Sequence, residues 1–206
     1  MKNKEICDYL DRIHPNPKCP LNYNKDYELL IAVVLSAQSK DDQVNKVTKE
    51  LFTKYDINSL AKASKEEIID ILRPCGNMNK KSDYIIKICK SLLNDHNGTV
   101  PCNREYLERL PGVGRKTTNV ILATLFDIPA FAVDTHIERV AKTLGYADEN
   151  DSVLEVEQKL MKAFEPQTWG KRHLQILLFG RYICKKNKPK CEECELHKYC
   201  KNKKCI

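Results

Sequence analysis

The stretch Leu110-Pro111-Gly112-Val113-Gly114-Arg115-Lys116-Thr117 constrains this chain more than any other. Before it, residues 103–110 follow Pro101 and place Leu107 and Leu110 on one helical face; after it, Lys116 to Phe126 repeats Val120, Ile121 and Leu125 at helical spacing. Pro111 is expected to end the first helix, and Gly112 and Gly114 admit backbone angles closed to other residues. The expected product is a tight hairpin whose bare amides, opening the second helix, cradle a phosphate. Arg115 and Lys116 bring positive charge to the same place. Gly112, Val113, Gly114, Arg115 and Thr117 are therefore candidate contacts to DNA phosphate. Two nucleotide folds are excluded. A P-loop needs four residues between its first glycine and Gly-Lys-Thr, and a Rossmann turn needs a strand in front, where this chain has a helical pattern.

The rest of the chain repeats the helical theme. Residues 1–13 put Ile6, Leu10 and Ile13 on one face, and Pro15, Pro17 and Pro20 make residues 14–22 a loop or extended connection. Tyr27 to Ala37 is apolar nearly all round, the mark of a buried helix. Asp41 and Asp42 open another helix, with Val44, Val47 and Leu51 in step. Ser64 with Glu67 forms a capping box, Pro74 closes that helix, and residues 75–80 read as a turn before the helix of Ile85, Ile88, Cys89 and Leu92. Thr135 with Glu138 reads as a second capping box, which would leave Asp134 available for another task. Ser152 with Glu155 reads as a third, and residues 169–183 as the last helix. With no strand, repeat or low-complexity linker, the fold class is all-α.

Charge and cysteines point to the C-terminal end. The formal charge is +7, yet residues 171–206 carry eleven Lys/Arg against three Glu, so the first 170 residues are nearly neutral. A polyanion that engages this end accounts for the asymmetry. No apolar run reaches the length of a membrane span, and the start lacks a signal-peptide core, so a soluble, cytoplasmic protein is expected. A reducing compartment argues against a disulfide framework for the ten cysteines. Cys184, Cys191, Cys194 and Cys200 have the spacing C-x6-C-x2-C-x5-C, which suits zinc or a [4Fe–4S] cluster equally. Lys185, Lys186, Lys188 and Lys190, on the loop between the first two, are candidate phosphate contacts. Cys205 falls outside the spacing.

The hairpin octet, Leu35-Ser36-Ala37-Gln38, Val133-Asp134-Thr135-His136 and the four cysteines together resemble the endonuclease III family of helix-hairpin-helix DNA glycosylases, over nearly the whole chain. The resemblance implies Lys116 as the Schiff-base nucleophile and Asp134 as its carboxylate partner. It further implies a [4Fe–4S] cluster on the four cysteines rather than zinc, and Gln38 as the residue that fills the gap left by an extruded base. One departure stands out. Asn77, followed by Met78, occupies the place where family members often carry an apolar wedge; either Met78 wedges or the contact to the opposite strand is altered.

Chemically, an amine attacks a sugar C1′ only when neutral. The positive end of the helix dipole, neighbouring Arg115 and burial would all favour that form of Lys116. The expected enzyme bends duplex DNA and flips out a damaged base, an oxidised pyrimidine on the family pattern. It displaces that base through Lys116 and cuts the strand 3′ to the abasic sugar by β-elimination. A glycosylase without lyase activity and a non-enzymatic DNA-binding module with a metal-stapled C-terminus are the alternatives. The expected architecture is two helical domains flanking a DNA groove. Residues 23–131 carry the hairpin at about 102–126, and residues 1–22 return to join 132–206. Lys116 and Asp134 face each other across the groove of a monomer.

Overall fold

The computed structural model describes residues 2–201, and Cys205 lies outside them. Those residues are helical, with no strand among them. They divide into two compact units, Cys19–Phe126 and a second formed by the residues up to Lys18 together with those from Asp127 onward.

The hairpin-bearing unit is built round α2 (Asp26–Ser36), in which every residue from Tyr27 to Leu35 is buried. A helix buried on every side has no face to give to water, so its neighbours must surround it. They are α3 (Asp41–Lys54), α6 (Met78–His96) and α8 (Arg115–Leu125). Glu28 Oε2 accepts from the amides of Asn24 and Lys25 at 2.7 and 3.2 Å, and Asp26 Oδ2 accepts from Val100 at 2.6 Å. The Glu28 bonds close the start of α2, and the Asp26 bond ties the segment ahead of α7 (Arg104–Arg109) back to it. The Ser64 capping box is present at α5 (Lys65–Leu72), its Oγ accepting from Glu67. Two boundaries differ from expectation. A short α4 (Ile57–Lys62) is capped by Asp56, whose side chain accepts from the Ser59 amide. Helix α6 begins at Met78, inside the expected 75–80 turn, because Asn77 adopts a left-handed conformation (φ 58°) and turns the chain straight into the helix.

The other unit packs α1 (Lys2–Ile13), α9 (Thr135–Thr143), α10 (Val153–Ala163) and α11 (Trp169–Tyr182). Helices α9 and α11 approach closely at Gly180, where an added Cβ would stand 3.1 Å from Val140 Cγ2 and 3.2 Å from His136 Cβ. The N-terminal helix is held to α11 by polar bonds. Arg172 donates to both oxygens of Asp11 at 3.0 and 2.9 Å, and Gln175 Nε2 donates to the His14 carbonyl at 2.8 Å. The expected Thr135 cap is not formed. Asp134 is itself the N-cap of α9, its Oδ1 accepting from the His136 and Ile137 amides at 2.9 Å each. A residue that caps must lie just outside the helix, and Thr135 is already its first residue.

Candidate active site

The hairpin is built as its sequence requires at one glycine and differently at the other. Helix α7 stops at Leu110, and Gly112 turns the chain with φ +77°. Gly114 has φ −107° and serves as the N-cap of α8, a backbone open to any residue, so its expected left-handed angle is not found. What Gly114 lacks is any neighbour, since a Cβ there would meet nothing within 4 Å. With no side chain to cap α8, the first-turn amides of Lys116 and Thr117 have no acceptor inside the helix. An external oxyanion can approach that backbone directly. The Val113 side chain is 4% exposed in the core, and its amide donates to Leu110 O at 3.1 Å.

Arg115 and Lys116 are exposed at this helix start, and Thr117 is half-buried. The burial expected to favour the neutral amine of Lys116 is absent.

Gln38 and Asn77 are both exposed, and Asn77 Nδ2 donates to Gln38 Oε1 at 3.0 Å. Met78 is partly buried against the core. Nearby, Lys81 is buried at 3% exposure, and its ammonium donates to Leu35 O, Ala37 O and Ser39 Oγ at 2.9, 2.7 and 3.1 Å. Burial pushes the Lys81 amine below its usual range. Sequence reasoning missed this residue. Its one signal was a charge in helical step with the apolar Ile85 and Ile88.

In the other unit, the Asp134 carboxylate is half-buried at the start of α9 and anchors it through Oδ1. His136 packs its backbone and Cβ toward Gly180.

The four cysteines Cys184, Cys191, Cys194 and Cys200 line one small pocket, together with Leu144, Phe179, Ile183 and Leu196. Among the described residues no group of three or more ligating side chains forms a ready-made metal site. Burial pushes the thiols of Cys184 and Cys194 up, and the Arg139 guanidinium opposes that at Cys184. Arg139 Nη1 lies 3.5 Å from Cys184 Sγ and also bonds its carbonyl, while Nη2 donates to Gly180 O at 2.9 Å. Such N–H···S contacts steady thiolates that hold metal. Lys185, Lys186, Lys188 and Lys190 are all exposed, with Lys190 paired to Glu193 at 3.0 Å.

The profile described as HhH-GPD superfamily base excision DNA repair protein matches residues 31–166. Endonuclease III of Bacillus subtilis (strain 168) is 42% identical over 203 residues, spanning 98% of this chain and 93% of that one. The chain belongs to the endonuclease III family. Two solved structures of endonuclease III extend the likeness to three dimensions. One, a non-covalent endonuclease III–DNA complex, has a TM-score of 0.93 at 45% identity, covering 98% of this chain and 95% of that one. The other, a trapped endonuclease III–DNA covalent intermediate with an estranged adenine, has a TM-score of 0.92 at 43% identity, covering 98% and 96%.

As a member of the endonuclease III family the chain is a base-excision repair enzyme, a DNA glycosylase and abasic-site lyase whose partner is DNA. Among the described residues no helix is long and apolar enough to cross a membrane.

Proposed function

We propose that Lys116 is the nucleophile that joins this enzyme to DNA, and that the substrate is an oxidised pyrimidine flipped out of the duplex. The observation that carries the proposal is an exposed lysine in the first turn of a helix whose glycine cap leaves its amides bare beside open space. The phosphate backbone docks on the amides of Gly114, Lys116 and Thr117, with Arg115 alongside, and this sets the Lys116 amine near deoxyribose. Gln38 occupies the space vacated by the flipped nucleotide. The exposed lysines Lys185, Lys186 and Lys188 add backbone contacts, and Lys190 joins them when Glu193 releases it.

The neutral amine attacks C1′, and the bond from C1′ to the base breaks with the base leaving as its anion, to be protonated from solvent. The Asp134 carboxylate stabilises the positive charge that grows on the sugar. The new C1′–N ammonium gives up a proton, the C1′–O4′ bond breaks with O4′ taking a proton, and an imine remains between Lys116 and C1′. The imine acidifies C2′, loss of that proton expels the 3′ phosphate, and water hydrolyses the imine to release the enzyme. A relative captured as a covalent intermediate with DNA supports this course.

The four cysteines are proposed to hold a [4Fe–4S] cluster. Support comes from the placement of all four cysteines round one apolar pocket, a donor set that suits such a cluster, and from membership of the endonuclease III family. The cluster would serve to fix the loop that presents Lys185, Lys186 and Lys188. Action as a monomer in the cytoplasm, on nucleoid DNA, completes the proposal.

Borohydride trapping on abasic duplex DNA tests the chemistry. A covalent protein–DNA adduct is expected, lost in Lys116→Ala and retained in Lys54→Ala, an exposed lysine paired with Glu50. An adduct that persists in Lys116→Ala would assign the nucleophile elsewhere. Salt-sensitive DNA binding without any adduct would reduce the protein to a binding module.

A further inference from the structure

Two exposed residues of the hairpin-bearing unit break local rules, and one hydrogen bond joins them. Gln38 and Asn77 both have φ 58°, a left-handed conformation that asparagine tolerates and that is disfavoured for glutamine. Asn77 is the N-cap of α6, yet its side chain makes no capping bond, although asparagine is among the best capping residues. Its amide is turned outward to Gln38 instead, at 3.0 Å. Departures of this kind, held by their surroundings, gather at functional positions.

What holds them is the buried ammonium of Lys81. Its acceptors are the carbonyls of Leu35 and Ala37 and the hydroxyl of Ser39, so both neighbours of Gln38 are gripped from beneath while residue 38 faces solvent. Three acceptors match the three N–H bonds of an ammonium. Every one is a neutral oxygen, so no carboxylate pairs with this ammonium and hydrogen bonds to neutral groups offset its burial. A methionine would fill similar volume without that cost, and packing therefore does not account for a lysine here. Lys81 and Asn77 lie one turn apart on α6. A single helix start thus fixes the backbone of residue 38 through one residue and its side-chain amide through the other.

We infer that Lys81 is a positioning residue for Gln38, presenting its amide, together with Asn77, already shaped for entry into the space left by a flipped nucleotide. The inference rests on the proposed gap-filling role of Gln38. Preorganisation of this sort removes the ordering cost of a flexible side chain from the binding step.

The measurement is the preference of the full-length, cluster-loaded protein for a duplex carrying a tetrahydrofuran abasic analogue over the intact duplex, by fluorescence anisotropy. Because it is a ratio of two dissociation constants, a general loss of folded protein cancels. Gln38→Ala is expected to reduce the preference about tenfold, the worth of a buried polar contact. Lys81→Met should reduce it by a similar factor, and the double variant should lose no more than Gln38→Ala alone. Lys81→Arg, which keeps a donor at the site, should recover part of the loss. Asn77→Gly keeps the left-handed turn and deletes the amide. Its smaller loss should also vanish in the Gln38→Ala background, and it carries the comparison if Lys81→Met does not fold. Losses from Lys81→Met that add in full to those of Gln38→Ala, or that fall equally on both duplexes, overturn the inference and leave the role of Gln38 standing. An undiminished preference in Gln38→Ala removes that role, and the inference falls with it.

Discussion

The ring of Tyr84 occupies the space where a side chain on residue 112 would begin: a Cβ added to Gly112 would stand 2.5 Å from Tyr84 Cδ2 and 2.9 Å from Cε2. The bend of the hairpin is thus closed against α6, and at φ +77° it admits glycine on two independent grounds. At Gly114, two residues on, an added Cβ would meet nothing within 4 Å. The two glycines should therefore separate in experiment. Gly112→Ala is expected to destabilise the protein by about 2–4 kcal/mol, from a strained backbone and an overfilled contact. Gly114→Ala should cost less than about 1 kcal/mol as a change of cap, yet weaken binding to abasic duplex by placing a methyl group where a phosphate oxygen approaches. Thermal denaturation and DNA titration on the same two variants check this; equal losses of stability would make Gly114 a second structural glycine.

Asp134 combines a cap with a proposed chemical role, and one atom can be exchanged to part them. Asparagine caps as well as aspartate does, so Asp134→Asn should keep stability within about 0.5 kcal/mol. Loss of the charge should lower single-turnover base release by about 10²–10³-fold, the scale for removing one electrostatic stabiliser. Asp134→Ala should show the same kinetic loss and an added cost of about 1 kcal/mol. Full turnover in Asp134→Asn would leave this residue a cap and nothing more.

Acid should loosen the joint between α1 and α11. Desolvation pushes the Asp11 carboxyl up, but hydrogen bonds from Arg172, Lys171 and Gln175 outweigh it and hold the group well below the ordinary carboxylate range. A carboxyl lowered by folding contributes stability above its unfolded value of about 4, and that contribution is lost as pH falls toward the folded value. Asp11→Asn should therefore lower Tm at neutral pH, with the gap to the parent protein closing below about pH 3. A gap that stayed constant through the acid range would mean that charge plays no part in this joint.

The cysteine cavity makes its own analytical prediction. Protein prepared under reducing conditions should contain about four irons and four acid-labile sulfides per chain, and iron should fall sharply in Cys194→Ser. Arg139→Gln should retain the fold but lose iron faster under chelation, since its guanidinium supports both the carbonyl and the sulfur of Cys184. One zinc per chain and no iron would replace the cluster by a mononuclear staple.

Much of the architecture could be read from short stretches. The glycine at 112, the apolar run of α2 and the capping boxes at Ser64 and Ser152 are decided by residues within a few positions of one another, and each is found. Helix α4 was legible by the same logic, from Asp56 followed by Ser59, but its six residues are too few for periodicity to stand out. Asp134 and Thr135 are both good capping residues, and the spacing to Glu138 favours Thr135, whereas Asp134 is the cap. Which of two adjacent candidates caps is settled by where the backbone leaves the helix, a matter of one dihedral angle.

The sequence by itself determined an all-helical chain, a glycine-bent hairpin with a lysine at its second helix, and four cysteines spaced for a metal, because hydrogen-bonding rules and side-chain periodicity act over one or two helical turns. Tertiary structure alone decided that Tyr84 closes on Gly112, that Val113 turns inward, and that Lys81 reaches across 42 to 46 positions to grip the residues round Gln38. Those contacts join residues from separate helices, and no local preference encodes which helices will meet; burial of the whole core does.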